Sequence, residues 1–145
     1  MTTQTKKSPK SPTTGTLTAT IEQKPALNAD FVHVHYVNNS MEIYGNDSRP
    51  EALLTSVTIT VVRDVKSGTY ELYTDSDFQS AEVRYNGLPY LYDTESATLH
   101  ITADHKQKHS FGTCTIKAVA VFDPENRITV EVEFDLHGGT DSRKI

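Results

Sequence analysis

Two histidines one residue apart, His33 and His35, are the residues best suited to chemistry in this sequence. In an extended strand alternate side chains share a face, so their α-carbons would stand roughly 6.5–7 Å apart, close enough for both imidazoles to reach one ion. Zinc or iron needs a third protein ligand, and the first carboxylate downstream is Glu42. His33, His35 and Glu42 are therefore the candidate metal ligands. The plainer account is a strand face turned to solvent or to a partner, where two histidines cost nothing.

A His-x-His pair followed by a glutamate resembles the first half of the cupin metal motif. The resemblance implies a metal held by His33, His35 and Glu42. Here the gap to Glu42 is longer than in that family, the preceding glycine is missing, and no second motif with Pro-x-Gly and a third histidine follows.

Tyr85, Tyr90 and Tyr92 gather around Asn86-Gly87 with Leu88 and Pro89. Aromatic faces on a loop suit stacking against a sugar or a protein surface, which makes these tyrosines the candidate ligand-binding residues. A hairpin packing its tyrosines on itself is the alternative. Glu131, Glu133 and Asp135 alternate along one strand and would lie roughly 6.5–7 Å apart, within the range of glycosidase acid pairs. Such catalysis needs two carboxylates in different surroundings, whereas these form one regular row. No residue is assigned a catalytic role.

Asp75-x-Asp77 and Asn46-Asp47 offer oxygen ligands for calcium without an EF-hand frame, and Asp-rich turns account for them equally. His100, His105, His109 and His137 show no familiar ligand spacing, although His105 and His109 flank a Lys-Gln-Lys tip and would approach each other across a hairpin. Cys114, the one cysteine, excludes an intrachain disulfide and falls on an inward face, as expected for an inert thiol.

The elements that must position these residues repeat with period two, the mark of strands with one buried face. Leu17, Ala19 and Ile21 alternate with threonines before Pro25; Val32, Val34 and Tyr36 oppose Phe31, His33, His35 and Val37; Val57, Ile59 and Val61 oppose Ser56, Thr58 and Thr60. Leu99 and Ile101 point inward on a later strand. Pro89 makes LPYLYD an edge strand or an irregular segment, because proline cannot donate to a ladder. In the last strand Ile128, Val130, Val132, Phe134 and Leu136 share one face.

The segment Asp123-Pro124-Glu125-Asn126-Arg127 has the residues of a three-residue hairpin loop closed by Asp123 and Arg127. That register sets Phe122 against Ile128, Ala120 against Val130, Ala118 against Val132, and Cys114 near Leu136. It also sets Lys117 against Glu133 and Val119 against Glu131 on the outer face.

The expectation is an all-β antiparallel two-sheet sandwich of about eight or nine strands, with a small closed barrel as the alternative. Residues 1–15 read as a disordered tail, 16–138 as one β domain and 139–145 as a flexible C-terminal tail. A net charge of −5 argues against nucleic acid. No signal peptide, membrane span or disulfide is legible, which suggests a cytoplasmic protein. The functional expectation is a non-catalytic binding or structural module without a cofactor, engaging a protein or carbohydrate partner, with a homodimer through the LPYLYD edge as one route. A metal-dependent role for His33 and His35 is the first alternative. A small-ligand carrier is the second, should the fold be a barrel.

Overall fold

In the computed structural model, which describes residues 12–87 and 91–141, the period-two segments fold as strands. Among the described residues there is no helix, hence none long and apolar enough to cross a membrane. The strands are β1 (Thr14–Ile21), β2 (Lys24–Asn28), β3 (Phe31–Val37), β4 (Ser40–Asn46), β5 (Leu54–Val62), β6 (Gly68–Glu71), β7 (Phe78–Tyr85), β8 (Tyr92–Asp104), β9 (His109–Ala120), β10 (Asp123–His137) and β11 (Thr140–Asp141). They form a six-stranded sheet in the order β2-β1-β10-β9-β8-β6 and a five-stranded sheet in the order β11-β3-β4-β5-β7. The sheets keep open edges and do not close into a barrel. All pairings are antiparallel except β11 with β3.

Alternation fixes the core between the layers. Leu17, Leu99, Ile116, Val130 and Leu136 of the larger sheet are buried against Val34, Met41, Ile43, Val57, Ile59 and Val61 of the smaller one. Each such side chain contributes on the order of 1.5–3 kcal/mol on leaving water. The apolar faces of β5, β8 and β10 are the buried ones, with Ile128 half-buried near the end of its row, and on β3, where both faces carry bulk, Val32, Val34 and Tyr36 are the buried set.

Eleven strands form rather than eight or nine, for identifiable reasons. Pro25 does not end the chain's pairing; it lies in β2, an edge strand where a missing N–H can face outward, and pairs with Thr20. LPYLYD is not a separate edge strand in its described part: Leu91 makes a single bridge to Arg84, and Tyr92 and Asp93 open the long interior strand β8 against β9. Leu88, Pro89 and Tyr90 lie outside the described residues, as do 1–11 and 142–145. Thr140 and Asp141, within the segment read as a tail, pair with His35 and Tyr36.

The C-terminal hairpin turns earlier than its loop chemistry suggests. Val121 and Phe122 form the turn, Asp123 pairs with Ala120, and Pro124, Glu125 and Asn126 bulge out before Arg127 meets Val119. Proline is readily absorbed in a bulge, because no ladder bond is asked of it there. The register is thus four residues away from the expected one: Val130 faces Ile116, Val132 faces Cys114 and Lys117 faces Thr129. Because four is even, every side chain keeps its face. Phe122 does not; expected against Ile128, it stands 93% exposed at the turn. Arg127 pairs with Glu95 rather than Asp123, both nitrogen–oxygen distances being 3.1 Å.

Phe122→Ala should therefore change the unfolding free energy by no more than about 0.5 kcal/mol. Ile116→Ala, in the fully buried row, should cost about 2–5 kcal/mol. Urea denaturation of the two variants distinguishes the turn from the core register.

Candidate functional site

His33 and His35 share the outer face of the smaller sheet with their rings stacked, centroids 5.4 Å apart and 12° from parallel. Glu42 is the cross-strand partner of His35 on β4, so the topology brings all three expected ligands to one surface. Their immediate contacts are of another kind: His33 Nε2 lies 3.0 Å from Thr140 Oγ1, and the Phe31 ring packs at 6.1 Å from that of His33. Burial, helped by neighbouring His35 and opposed by Glu42, holds the His33 pKa below its ordinary value. Cys114 is buried, and burial pushes its thiol up to about 12, so it has no thiolate to offer.

The acidic row stands on the outer face of the larger sheet without the lysine partner expected for it. Glu131 lies between Thr20 and Thr115, Glu133 between Thr18 and Thr113, and Asp135 between Thr16 and Phe111. All three are exposed; Glu131 and Glu133 have like surroundings, without the difference that an acid–base pair requires, whereas Asp135 lies 2.7 Å from His109 Nε2.

His105 and His109 do not meet. His105 Nε2 sits 2.6 Å from the Val65 carbonyl oxygen, whereas His109 stacks on His137 with ring centroids 4.0 Å apart. The Asp75 carboxylate accepts the Glu71 N–H at 2.7 Å within its own turn. Asp47 is almost fully buried and accepts from the Asn28 N–H at 2.8 Å and from both Nε and a terminal nitrogen of Arg49 at 2.9 and 2.6 Å. Both aspartates thus serve the chain's own turns.

Of the three tyrosines, Tyr90 lies outside the described residues. Tyr85 and Tyr92 pack together at 5.7 Å, half-buried against the core, and the Tyr92 hydroxyl donates to Asn126 Oδ1 at 3.1 Å. Tyr92 also lines a cleft of about 300 Å³ at the corner where β7 of one sheet approaches the start of β8 in the other. The six consecutive residues Gln79–Arg84 form one wall, and Tyr73, Leu91 and Val121 complete it. β7 is the terminal strand of its sheet. Among the described residues it meets β8 through the Arg84–Leu91 bridge and through the Thr94 hydroxyl, which donates to the Ala81 carbonyl at 2.5 Å.

Tyr73 is the residue that sequence reasoning missed. It lies in the turn after β6 with φ of 72°, a left-handed conformation rare for an aromatic residue. Its hydroxyl donates to the Thr94 carbonyl at 2.9 Å, yet the residue is 73% exposed. The segment TYELYT reads as strand throughout, and nothing in its composition signals the break after Glu71.

Comparison with protein-family models, with curated proteins and with solved structures found no match for this chain.

The hydrogen bonds to Asp47 hold its carboxyl far below the usual carboxylate range, the Arg49 guanidinium contributing most. A depressed folded-state pKa stabilises the fold above the unfolded value near 3.9, and that stability is lost as pH falls through the folded one. Asp47→Asn should lower stability by about 1–3 kcal/mol at pH 7. The difference from wild type should begin to shrink as pH falls below about 5 and go on shrinking below about pH 3, measured by urea denaturation from neutral to acid pH.

Proposed function

We propose that this chain is a non-catalytic β-sandwich module that binds an extended peptide segment of a protein partner in the cleft between β7 and the start of β8. The observation that carries this reading is the posture of Tyr73. A bulky residue at positive φ costs on the order of 1–3 kcal/mol, and such strain concentrates at ligand clamps. Here the strained backbone and the hydroxyl's bond to Thr94 hold an aromatic face in the open beside the cleft.

The walls favour a peptide over a sugar. A terminal strand presents main-chain groups at a spacing that another extended chain matches, so main-chain bonds supply affinity and side-chain pockets supply selectivity. Leu91 and Val121 are exposed beside that edge, and Phe122 follows at the adjacent turn. Apolar side chains gathered around one depression mark an interaction site more than scattered ones do. Glu82 and Asp93 add carboxylates to the lining, Glu82 with Arg84 at 3.9 Å. The carrier alternative depended on a barrel interior, which an open sandwich does not supply.

Panning the full chain against a library of unstructured peptides, then titrating a selected peptide by NMR, tests this. Amide shifts should concentrate at Gln79–Arg84. Tyr73→Gly should weaken binding at least about tenfold while leaving unfolding free energy within about 1 kcal/mol, because glycine accepts the left-handed backbone. Peptides indifferent to that substitution, or shifts centred elsewhere, would overturn the reading. A stable dimer in light scattering with Tyr73 at its contact would replace the peptide by a second copy.

A further inference from the structure

At the end of the β9–β10 hairpin remote from Phe122, the first residue of β9 and the last of β10 are direct cross-strand partners: His109 faces His137. Asp135 precedes His137 by two residues and so shares its face. His109 Nε2 lies 2.7 Å and His137 Nε2 3.5 Å from the same oxygen, Asp135 Oδ1. Among the described residues this is the one group of three in which metal-ligating atoms all fall within 4.8 Å of one another.

We propose that His109, Asp135 and His137 form a binding site for a divalent transition-metal ion, with Zn²⁺ the ion best suited to the donor set. Two imidazoles and one carboxylate make a recurrent three-ligand set for zinc, leaving a position for water. Zinc–ligand bonds of about 2.0–2.2 Å at the tetrahedral angle put neighbouring ligand atoms about 3.3–3.6 Å apart; the observed 3.5 Å matches that spacing, and the 2.7 Å contact must open by about 0.6 Å to admit the ion. The rings are 12° from parallel, so they must tilt toward each other to converge on an ion. The His109 and His137 side chains are 30% and 55% exposed, which leaves that rotation open.

The backbone beneath the site is fixed from both sides. His109 also pairs with Asp104 of β8, and His137 with Thr14 of β1, so the two histidines stand on interior strands rather than at a frayed edge. Beyond them the Gly138 N–H donates to the Lys108 carbonyl at 2.7 Å and closes the end of the hairpin. Phe111 packs against His109 at 5.0 Å and shields one side. The paired backbone beneath the ligands favours metal affinity, because only side-chain rotation is left to be ordered on binding. The site is separate from the peptide cleft and does not depend on it.

The test is zinc binding by the full chain without a histidine tag, measured by competition with a chromophoric chelator. One equivalent should bind per chain. His109→Ala, His137→Ala and Asp135→Asn should each lower affinity at least about tenfold, with far-UV circular dichroism unchanged. The double variant His33→Ala/His35→Ala should bind as wild type does. Co²⁺ should give visible d–d bands that His137→Ala abolishes. Zinc that never reaches one equivalent, affinity untouched by His109→Ala and His137→Ala, or affinity lost instead in the His33/His35 variant would each overturn the site.

Discussion

The turn at Val121–Phe122 fixes the register of β9 against β10, and most of what the larger sheet presents follows from that register. Antiparallel partners along this hairpin keep an index sum of 246 from Arg127–Val119 to His137–His109. Each of the acidic side chains then meets a threonine or a phenylalanine on β9, and Lys117 is sent to Thr129. The same sum brings His109 to His137. A hairpin closed by Asp123 and Arg127 would have separated them by four positions. The bulge at Pro124–Asn126 is the local cost, three residues released from the ladder, and Arg127 recovers part of it by pairing with Glu95.

The smaller sheet is anchored differently. Its strands β3, β4 and β5 pair in close succession, and the buried carboxylate of Asp47, at the exit of β4, draws the exposed Arg49 and the Asn28 N–H into one network. Asp30 adds bonds to the N–H and hydroxyl of Ser48 beside it. A buried carboxylate is tolerable only when fully hydrogen-bonded, and this one ties the return from β2 to the connection leading into β5. At the other edge Asp141 of β11 pairs with Arg63, whose guanidinium lies over the Tyr36 ring at 5.2 Å. A two-residue parallel strand is thereby held in place and covers part of the β3 edge, one means of blunting an exposed strand.

What was legible in the sequence was parity. Which face of each strand turns inward depends on an alternation that residue types report directly, and an even register error leaves it intact. The buried Cys114 follows from that alone; two open sheets rather than a closed barrel do not, because a barrel's strands alternate in the same way. Register depends on where a turn closes. Asp-Pro-Glu-Asn-Arg carried stronger turn chemistry than Val-Phe, yet the chain turns at Val121–Phe122 and takes up Pro124–Asn126 as a bulge; alternation is the same in both registers and does not choose between them. The His109 cluster was hidden for that reason, its members lying 26 and 28 residues apart in the chain with only the register to join them. His33, His35 and Glu42 were easier to see because they are close in sequence, and the β3–β4 hairpin does set Glu42 across from His35. Tyr73 was hidden for another reason: its hydroxyl reaches Thr94, 21 residues on, a long-range contact that a local propensity does not contain.

The two proposed sites occupy opposite ends of one hairpin. Val121 borders the cleft at the turn, and His109 stands twelve residues earlier on the same extended strand, roughly 35–40 Å away at about 3.3 Å per residue. β9 and β10 are interior strands, paired on both sides, and their inward rows are locked into the core. A rigid ladder of this kind has no second arrangement for an ion to select, and coupling between distant sites requires such an alternative state. The physics therefore favours two independent functions on one scaffold: an ion that clamps the end of the hairpin remote from its turn, and a partner strand received in the cleft between β7 and the start of β8.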